Sequence, residues 1–381
     1  MRICIVGPTY PYRGGIAHYT TLLVKHLRER GHLTRLYSFT RQYPRWLFPG
    51  STDKDPSKAH LKVDCEYILD PLNPISWWQL YRKVNEYAPD MLVLQWWVPY
   101  WAPCLMMISR WIKQHTNIRI IYICHNVLPH DGGGALDRRL VRMVLHRGDA
   151  FIVHSEQDYD RLLALLPRVH VIRAQLPSYA ELVELSSLSR SLQHLGRVEL
   201  GIQENQPILL FFGFVRPYKG LKYLIQSLPL VLERFNVHLL VVGESWAPPN
   251  FYENYAREWG VMHAVTFVNR YIPNEDLPLY FDLADVVVLP YISATQSATI
   301  QLAFGFGKPV ITTRVGGMTE VVLDGVNGLI VPPQDAQALA RAIIRFYDEQ
   351  LTEPLAENAR RTAQEFSWQQ FVSHLEEAGR V

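Results

Sequence analysis

Short apolar runs, almost unbroken by polar residues, recur along this 381-residue chain and are separated by stretches of helical spacing. RICIVG near the start, MLVLQW near 91, IRIIYICHN near 118, DAFIVHS near 149 and HVIRA near 170 are of this kind. A strand with one wet face alternates apolar and polar residues. A run that is apolar throughout is covered on both faces, as in a parallel sheet shielded by its crossover helices. After the turn PTYPYRGG, Tyr19, Leu22, Leu23 and Leu27 recur at helical spacing and Gly31 supplies a stop. The expectation is an α/β domain built on a doubly wound parallel sheet.

The pattern lapses between Glu181 and Gln206, which is polar and serine-rich, and restarts at Pro207. PILLFFGFV, VHLLVVGE, HAVTFVNR, DVVVLPY, KPVITTRV and NGLIVPP are six further strand candidates with amphipathic helices such as LKYLIQSLPLVLERF among them. Two Rossmann-like domains are therefore expected, residues 1–185 and 207–364, joined by a linker at 186–206 and followed by a helix at 365–381. With an apolar content of 48%, the length suffices for two cores. In open sheets of this type ligands bind outside the carboxyl ends of the strands, so the expected site is a cleft between two such domains.

Composition narrows the function. A formal net charge of +2 with both signs interspersed argues against a nucleic-acid partner. Cys4, Cys65, Cys104 and Cys124 show no paired or zinc-like spacing and fit reduced core thiols of a cytoplasmic protein. MRICIVGPTY reads as a strand and turn, not a leader, and no apolar run is long enough to span a bilayer. The tryptophan-rich stretch from Trp96 to His115 has two readings, peripheral contact with the inner face of a membrane or the lining of an internal cleft. The triplets Asp53 to Asp55 and Asp158 to Asp160 resemble metal-binding DxD motifs but do not follow buried strands, and are expected to be solvated.

Four loops at strand carboxyl ends carry unusual chemistry. Gly14 and Gly15 either allow close backbone approach to a ligand or form an ordinary turn. In RPYKG, Arg216 and Lys219 stand beside a helix start, where two cations and a positive dipole end converge on one anion or form a solvated turn. His125 leaves a buried strand ahead of His130 and Asp131, either as a hydrogen-bonding partner for a sugar or as a structural histidine. The fourth loop, YISATQSATI, holds no charge at all. Its small residues Gln296, Ser297, Ala298 and Thr299 leave first-turn amides of a helix accessible to a phosphate or sugar hydroxyl, unless it is simply a capped strand-to-helix turn.

Together these residues resemble the family 4 (group 1) glycosyltransferases of the GT-B fold. The matching pieces are Gly14 and Gly15, GFVRPYKG at 213–220, LADVVVLPY at 283–291 and GKPVITTRVGGMTEVVLDGVNGLIVPPQD at 307–335. The resemblance implies two Rossmann-like domains facing across a cleft. It also implies a retaining enzyme that uses a nucleotide-diphosphate sugar as donor, without a metal or other cofactor. By the same resemblance Arg216 and Lys219 hold the diphosphate, the Gly14 to Gly15 loop lies against it, His125 stands near the reacting sugar, Glu320 matches an acidic donor-site position, and the helix around Trp368 to Glu377 returns to the first domain.

One departure stands out. The family's two loop glutamates, eight positions apart, fall here on Ala294 and Leu302. Gln296 or Gln301 is the candidate substitute, because a glutamine carbonyl also accepts hydrogen bonds. A non-catalytic nucleotide or carbohydrate binder is the main rival function. A nicotinamide-dependent oxidoreductase is disfavoured by the missing glycine fingerprint. The aromatic, partly basic segments of the first half point to a glycan or lipid-linked acceptor, as in cell-envelope polysaccharide synthesis.

Overall fold

The computed structural model describes all residues except 45–49, 51, 59–60, 130–132, 185–195 and 381. Two compact units emerge, one of Met1–Asp55, His60–Leu176 and Trp368–Val381, the other of Pro56–Ala59 and Pro177–Ser367. His130, Asp131 and most of the first half of the expected linker lie outside the described residues.

The first unit is built on seven parallel strands: β1 Arg2–Val6, β2 Leu33–Phe39, β3 Glu66–Leu69, β4 Met91–Trp96, β5 Arg119–Cys124, β6 Ala150–Val153 and β7 His170–Arg173. They run in the order β3-β2-β1-β4-β5-β6-β7. β4 is buried at all six positions, which is why it reads as an apolar run with Gln95 its one polar residue. The chain direction across the sheet reverses beside β1, which pairs with β2 on one side and β4 on the other. Helix Gly15–Glu29 turns Tyr19, Leu22, Leu23 and Leu27 inward and ends before Gly31, whose φ of 87° is a conformation glycine adopts without steric cost. The last helix, Trp368–Ala378, lies on this helix: Trp368 stacks on His26 at 5.4 Å and Glu376 accepts from Arg30 and His32 at 3.0 and 2.8 Å.

The second unit holds six parallel strands in the order β10-β9-β8-β11-β12-β13. They are β8 Ile208–Phe212, β9 His238–Val242, β10 Val265–Val268, β11 Val286–Leu289, β12 Val310–Thr313 and β13 Gly328–Val331, one for each of the six expected runs. The reversal falls at β8, between β9 and β11. Helices Leu221–Leu232 and Ala336–Asp348 cover one face together. Residues ahead of 186 also belong here. Tyr179 and Leu182 are buried, and the short helix Ala180–Glu184 packs on helix Ala298–Gly305, so the second unit starts at Pro177.

No helix among the described residues is long and apolar enough to cross a membrane. The tryptophans of the 96–115 stretch do not form a common exposed surface: Trp96 and Trp101 are fully buried in the first unit's core.

Candidate active site

In the second unit the site begins with a close approach of backbones at the ends of β8 and β9. Gly213 and Gly243 take φ values of 98° and 140°. A Cβ on Gly243 would lie 2.2 Å from the Gly213 carbonyl oxygen, so only glycine fits. The RPYKG segment then folds as a single 3-10 turn, Pro217–Lys219. Gly220, with φ 70°, presses against the end of β11, where a Cβ would meet the Pro290 carbonyl oxygen at 1.9 Å. This turn drives the Lys219 side chain back over the sheet, its Nζ 2.8 Å from where a Gly213 Cβ would be and 5.3 Å from the Tyr291 ring centre.

Lys219 is 8% exposed, and its ammonium makes no hydrogen bond or ion pair among the described residues. Burial lowers its pKa, the Arg216 charge acts the same way, and Tyr218 opposes them. Such a group is poised for an anion. Arg216 is held differently. Its guanidinium lies 3.6 Å from the centre of the Trp246 ring. The stack is set by the backbone, because Val215 N–H donates to Glu244 O at 2.9 Å and Trp246 N–H to Val215 O at 3.1 Å.

The uncharged fourth loop lies at the end of β11. Ser297 is the N-cap of helix Ala298–Gly305, and its side chain makes no cap hydrogen bond. The Tyr291 hydroxyl is buried, which raises its pKa, while hydrogen bonding with the Ser297 and Thr299 side chains opposes the shift. Thr299 Oγ1 lies 3.6 Å from the same Gly213 Cβ position that Lys219 approaches, so both side chains converge there. Gly317 N–H donates to Thr295 O at 3.0 Å, tying the Gln296 loop to the turn that leads into helix Met318–Val321, which carries the half-buried Glu320. Ala294 and Leu302 are buried apolar residues, and the Gln301 Oε1 is buried with no partner among the described residues.

In the first unit Gly14, φ 108°, precedes helix Gly15–Glu29, and a Cβ on it would touch nothing within 4 Å. His125 is 4% exposed, donates from Nε2 to Gln95 Oε1 at 2.6 Å, and meets Tyr19 edge-on at 4.7 Å. Burial, helped by the neighbouring His154, holds its pKa well below 6.5, so it is a neutral imidazole. One aspartate of each triplet departs from expectation, while Asp160 is exposed as expected. The Asp55 carboxylate is 3.4 Å from His18 Nε2, and Asp158 is 1% exposed because it accepts from Val127 N–H at 3.3 Å and sits 3.6 Å from Arg161. Asp55 and Asp158 are structural anchors, not solvated residues. No group of three His, Cys, Asp or Glu side chains among the described residues is arranged to hold a metal ion.

The fold thus gathers Arg216, Lys219, Ser297 and Thr299 in the second unit, and places Gly14, Gly15 and His125 in the first. Trp246, Tyr291 and Gly243 are additions that sequence reasoning did not supply. The pairing of β8 with β9 is the signal that brings Trp246 to Arg216.

Comparison with known proteins agrees with this arrangement. A family model described as glycosyl transferases group 1 matches residues 206–349, and one described as glycosyltransferase family 4 matches residues 13–173. An uncharacterized glycosyltransferase of Methanocaldococcus jannaschii is 31% identical over 174 residues, 45% of this chain and 44% of that protein. A D-inositol 3-phosphate glycosyltransferase of Corynebacterium urealyticum is 26% identical over 70% of this chain and 65% of its own length. The chain thus spans about half to two thirds of the length of these curated relatives. Among solved structures, Anabaena HepE in complex with UDP-glucose superposes with a TM-score of 0.76 at 19% identity, covering 99% of this chain and 100% of that one. Sucrose-phosphate synthase of Thermosynechococcus elongatus gives 0.74 at 21% identity, covering 100% and 98%. The chain belongs to the group 1, family 4 glycosyltransferases and has the GT-B fold.

Proposed function

We propose that the protein transfers a sugar from a nucleotide-diphosphate donor to a hydroxyl of a glycan or lipid-linked acceptor, with retention of anomeric configuration and without a metal. The observation that carries this reading is Lys219, a buried cation with no ion-pair partner among the described residues, close to Thr299 and the first turn of helix Ala298–Gly305. Departure of a nucleoside diphosphate leaves positive charge on the anomeric carbon and negative charge on the pyrophosphate. Two fixed cations, Arg216 and Lys219, with oriented amides at Ser297 to Thr299, stabilise that separation and supply the charge a metal would otherwise provide.

Gln296 and Glu320 complete the donor side, and the Gly14 to Gly15 turn and His125 serve the reacting sugar. Neutral His125 is assigned as an uncharged hydrogen-bonding partner for a sugar hydroxyl. A retaining hydrolase would need a close carboxylate pair, and the fourth loop has none at Ala294 and Leu302. Front-face attack, in which the departing phosphate takes the acceptor's proton, fits such a site. The role we assign is in cell-envelope polysaccharide synthesis on the cytoplasmic face of the membrane.

The test is incubation with a panel of nucleotide sugars. Slow release of nucleoside diphosphate without acceptor, unaffected by chelator and lost in Lys219→Ala, is the expected result. Thermal stabilisation with no release from any donor would favour the second reading, a non-catalytic binder, which the apolar Ala294 and Leu302 support.

A further inference from the structure

Helices Pro74–Tyr87, Ala102–His115 and Ala135–Leu145 follow β3, β4 and β5 and lie side by side on one face of the first sheet. These helices are more basic than the chain as a whole. Over these three helices there are seven Lys and Arg residues and two acids, while the whole chain holds 38 against 36. Lys83 and Lys113 are neutralised by Glu66 and Asp149. Arg110, Arg138, Arg139 and Arg142 are exposed with no acidic partner among the described residues. Some charges on other helices are paired, as in Lys25 with Glu29 and Arg345 with Glu349.

Large apolar side chains stand among these arginines. Ile75 is 66% exposed, Trp78 47%, Leu136 68% and Met143 40%. Leu136, Arg139 and Met143 follow one stripe of their helix at intervals of three and four residues, with Arg138 and Arg142 alongside. Arg82 lies 5.0 Å from the Trp78 ring centre, an aromatic and a cation sharing one spot. Four unpaired guanidinium groups and four exposed large apolar side chains thus share these three helices. A surface that meets phosphate headgroups and the upper acyl region combines the two.

We propose that this three-helix face docks on the headgroup region of an anionic lipid bilayer, the arginines binding phosphates and Ile75, Trp78, Leu136 and Met143 entering the apolar boundary. It gives the lipid-linked acceptor reading a physical surface, and rests on that reading only for its biological purpose. The aliphatic tips Ile75, Leu136 and Met143 favour lipid over nucleic acid, whose bases stack on aromatic rings.

The experiment is co-sedimentation of the full chain with vesicles of phosphatidylcholine and of phosphatidylcholine mixed with phosphatidylglycerol. Binding to the mixed vesicles alone, weakened by salt, is expected. The variant Arg138→Gln/Arg139→Gln/Arg142→Gln should bind about a hundredfold more weakly, roughly fivefold per arginine. The variant Ile75→Ser/Leu136→Ser should weaken binding while keeping the salt dependence. In both, the thermal shift produced by a nucleoside diphosphate should equal that of the wild type, which reports an intact fold and separates this face from the donor site. Equal binding to neutral vesicles, no binding, or full binding by the arginine variant overturns the proposal. Retention on heparin without vesicle binding would assign the face to another polyanion and overturn it too.

Discussion

Replacing Lys219 with methionine should make the ligand-free protein more stable and the donor site weaker. Methionine keeps the length and volume of the side chain but removes a charge that burial penalises and no carboxylate offsets among the described residues. Exchanging a buried ionic group for an apolar one of similar size commonly stabilises by 1–4 kcal/mol, so about 2 kcal/mol is a fair expectation here. For a unit spanning Pro177–Ser367 that corresponds to a rise in Tm of roughly 4–8 °C. The bound diphosphate loses a charge-assisted hydrogen bond worth about 1.5–3 kcal/mol, a drop in affinity of roughly tenfold to two-hundredfold. Scanning fluorimetry of the free protein gives the first quantity. Calorimetric titration with whichever of UDP, GDP and ADP the wild type binds best gives the second. A variant that melts earlier and still binds the diphosphate as tightly as the wild type would refute the reasoning, because Lys219 would then be a structural cation with no anion to meet.

Trp246→Ala should release Arg216 and weaken a nucleoside diphosphate by about two- to thirtyfold while leaving the bare nucleoside unaffected, and Trp246→Phe should restore most of the loss. Diphosphate affinity should fall as pH rises toward the ordinary lysine value, because the folded-state pKa of Lys219 is lowered from 10.5 and its deprotonation removes the cation; titrations at stepped pH check this, and a flat profile would count against it. Stability should fall on acidification. His154 is buried with its pKa pushed down from 6.5 to about 4, so below 6.5 the unfolded chain takes a proton that the folded chain refuses. From about pH 7 to about pH 5 this removes roughly 2 kcal/mol, with His125 adding in the same direction, and urea midpoints of the wild type and His154→Gln would show the slope and its reduction.

Which features were legible in the sequence follows from burial. All six strands of the second sheet announced themselves because helices cover both faces and leave no polar alternation. β2 and β3 escaped notice because they approach the edge of the first sheet: LTRLYSF begins half-exposed, and EYIL has two exposed residues in four. Tyr179 and Leu182 are isolated apolar residues in a polar stretch, so only packing reveals that they join the second unit. In the site, Arg216 and Lys219 were readable from their place at a strand's end. Trp246 was not, since it reaches Arg216 only through the lateral pairing of β8 and β9, a relation with no trace in local pattern. Asp55 and Asp158 misled for the converse reason: their surroundings in sequence are polar, while in space His18 and the Val127 amide claim them.

The last helix, Trp368–Ala378, bears on how the chain is made. Its Trp368 and Phe371 rings pack on Tyr19 at 5.2 and 5.6 Å, and Phe371 also meets His154, so part of the first unit's interior is supplied by residues that follow the whole second unit in sequence. The amino-terminal half therefore waits, incompletely covered, while the whole second unit is synthesised and free to fold. Early termination before Trp368 would harm the unit whose strands are made earlier and spare the unit made after them.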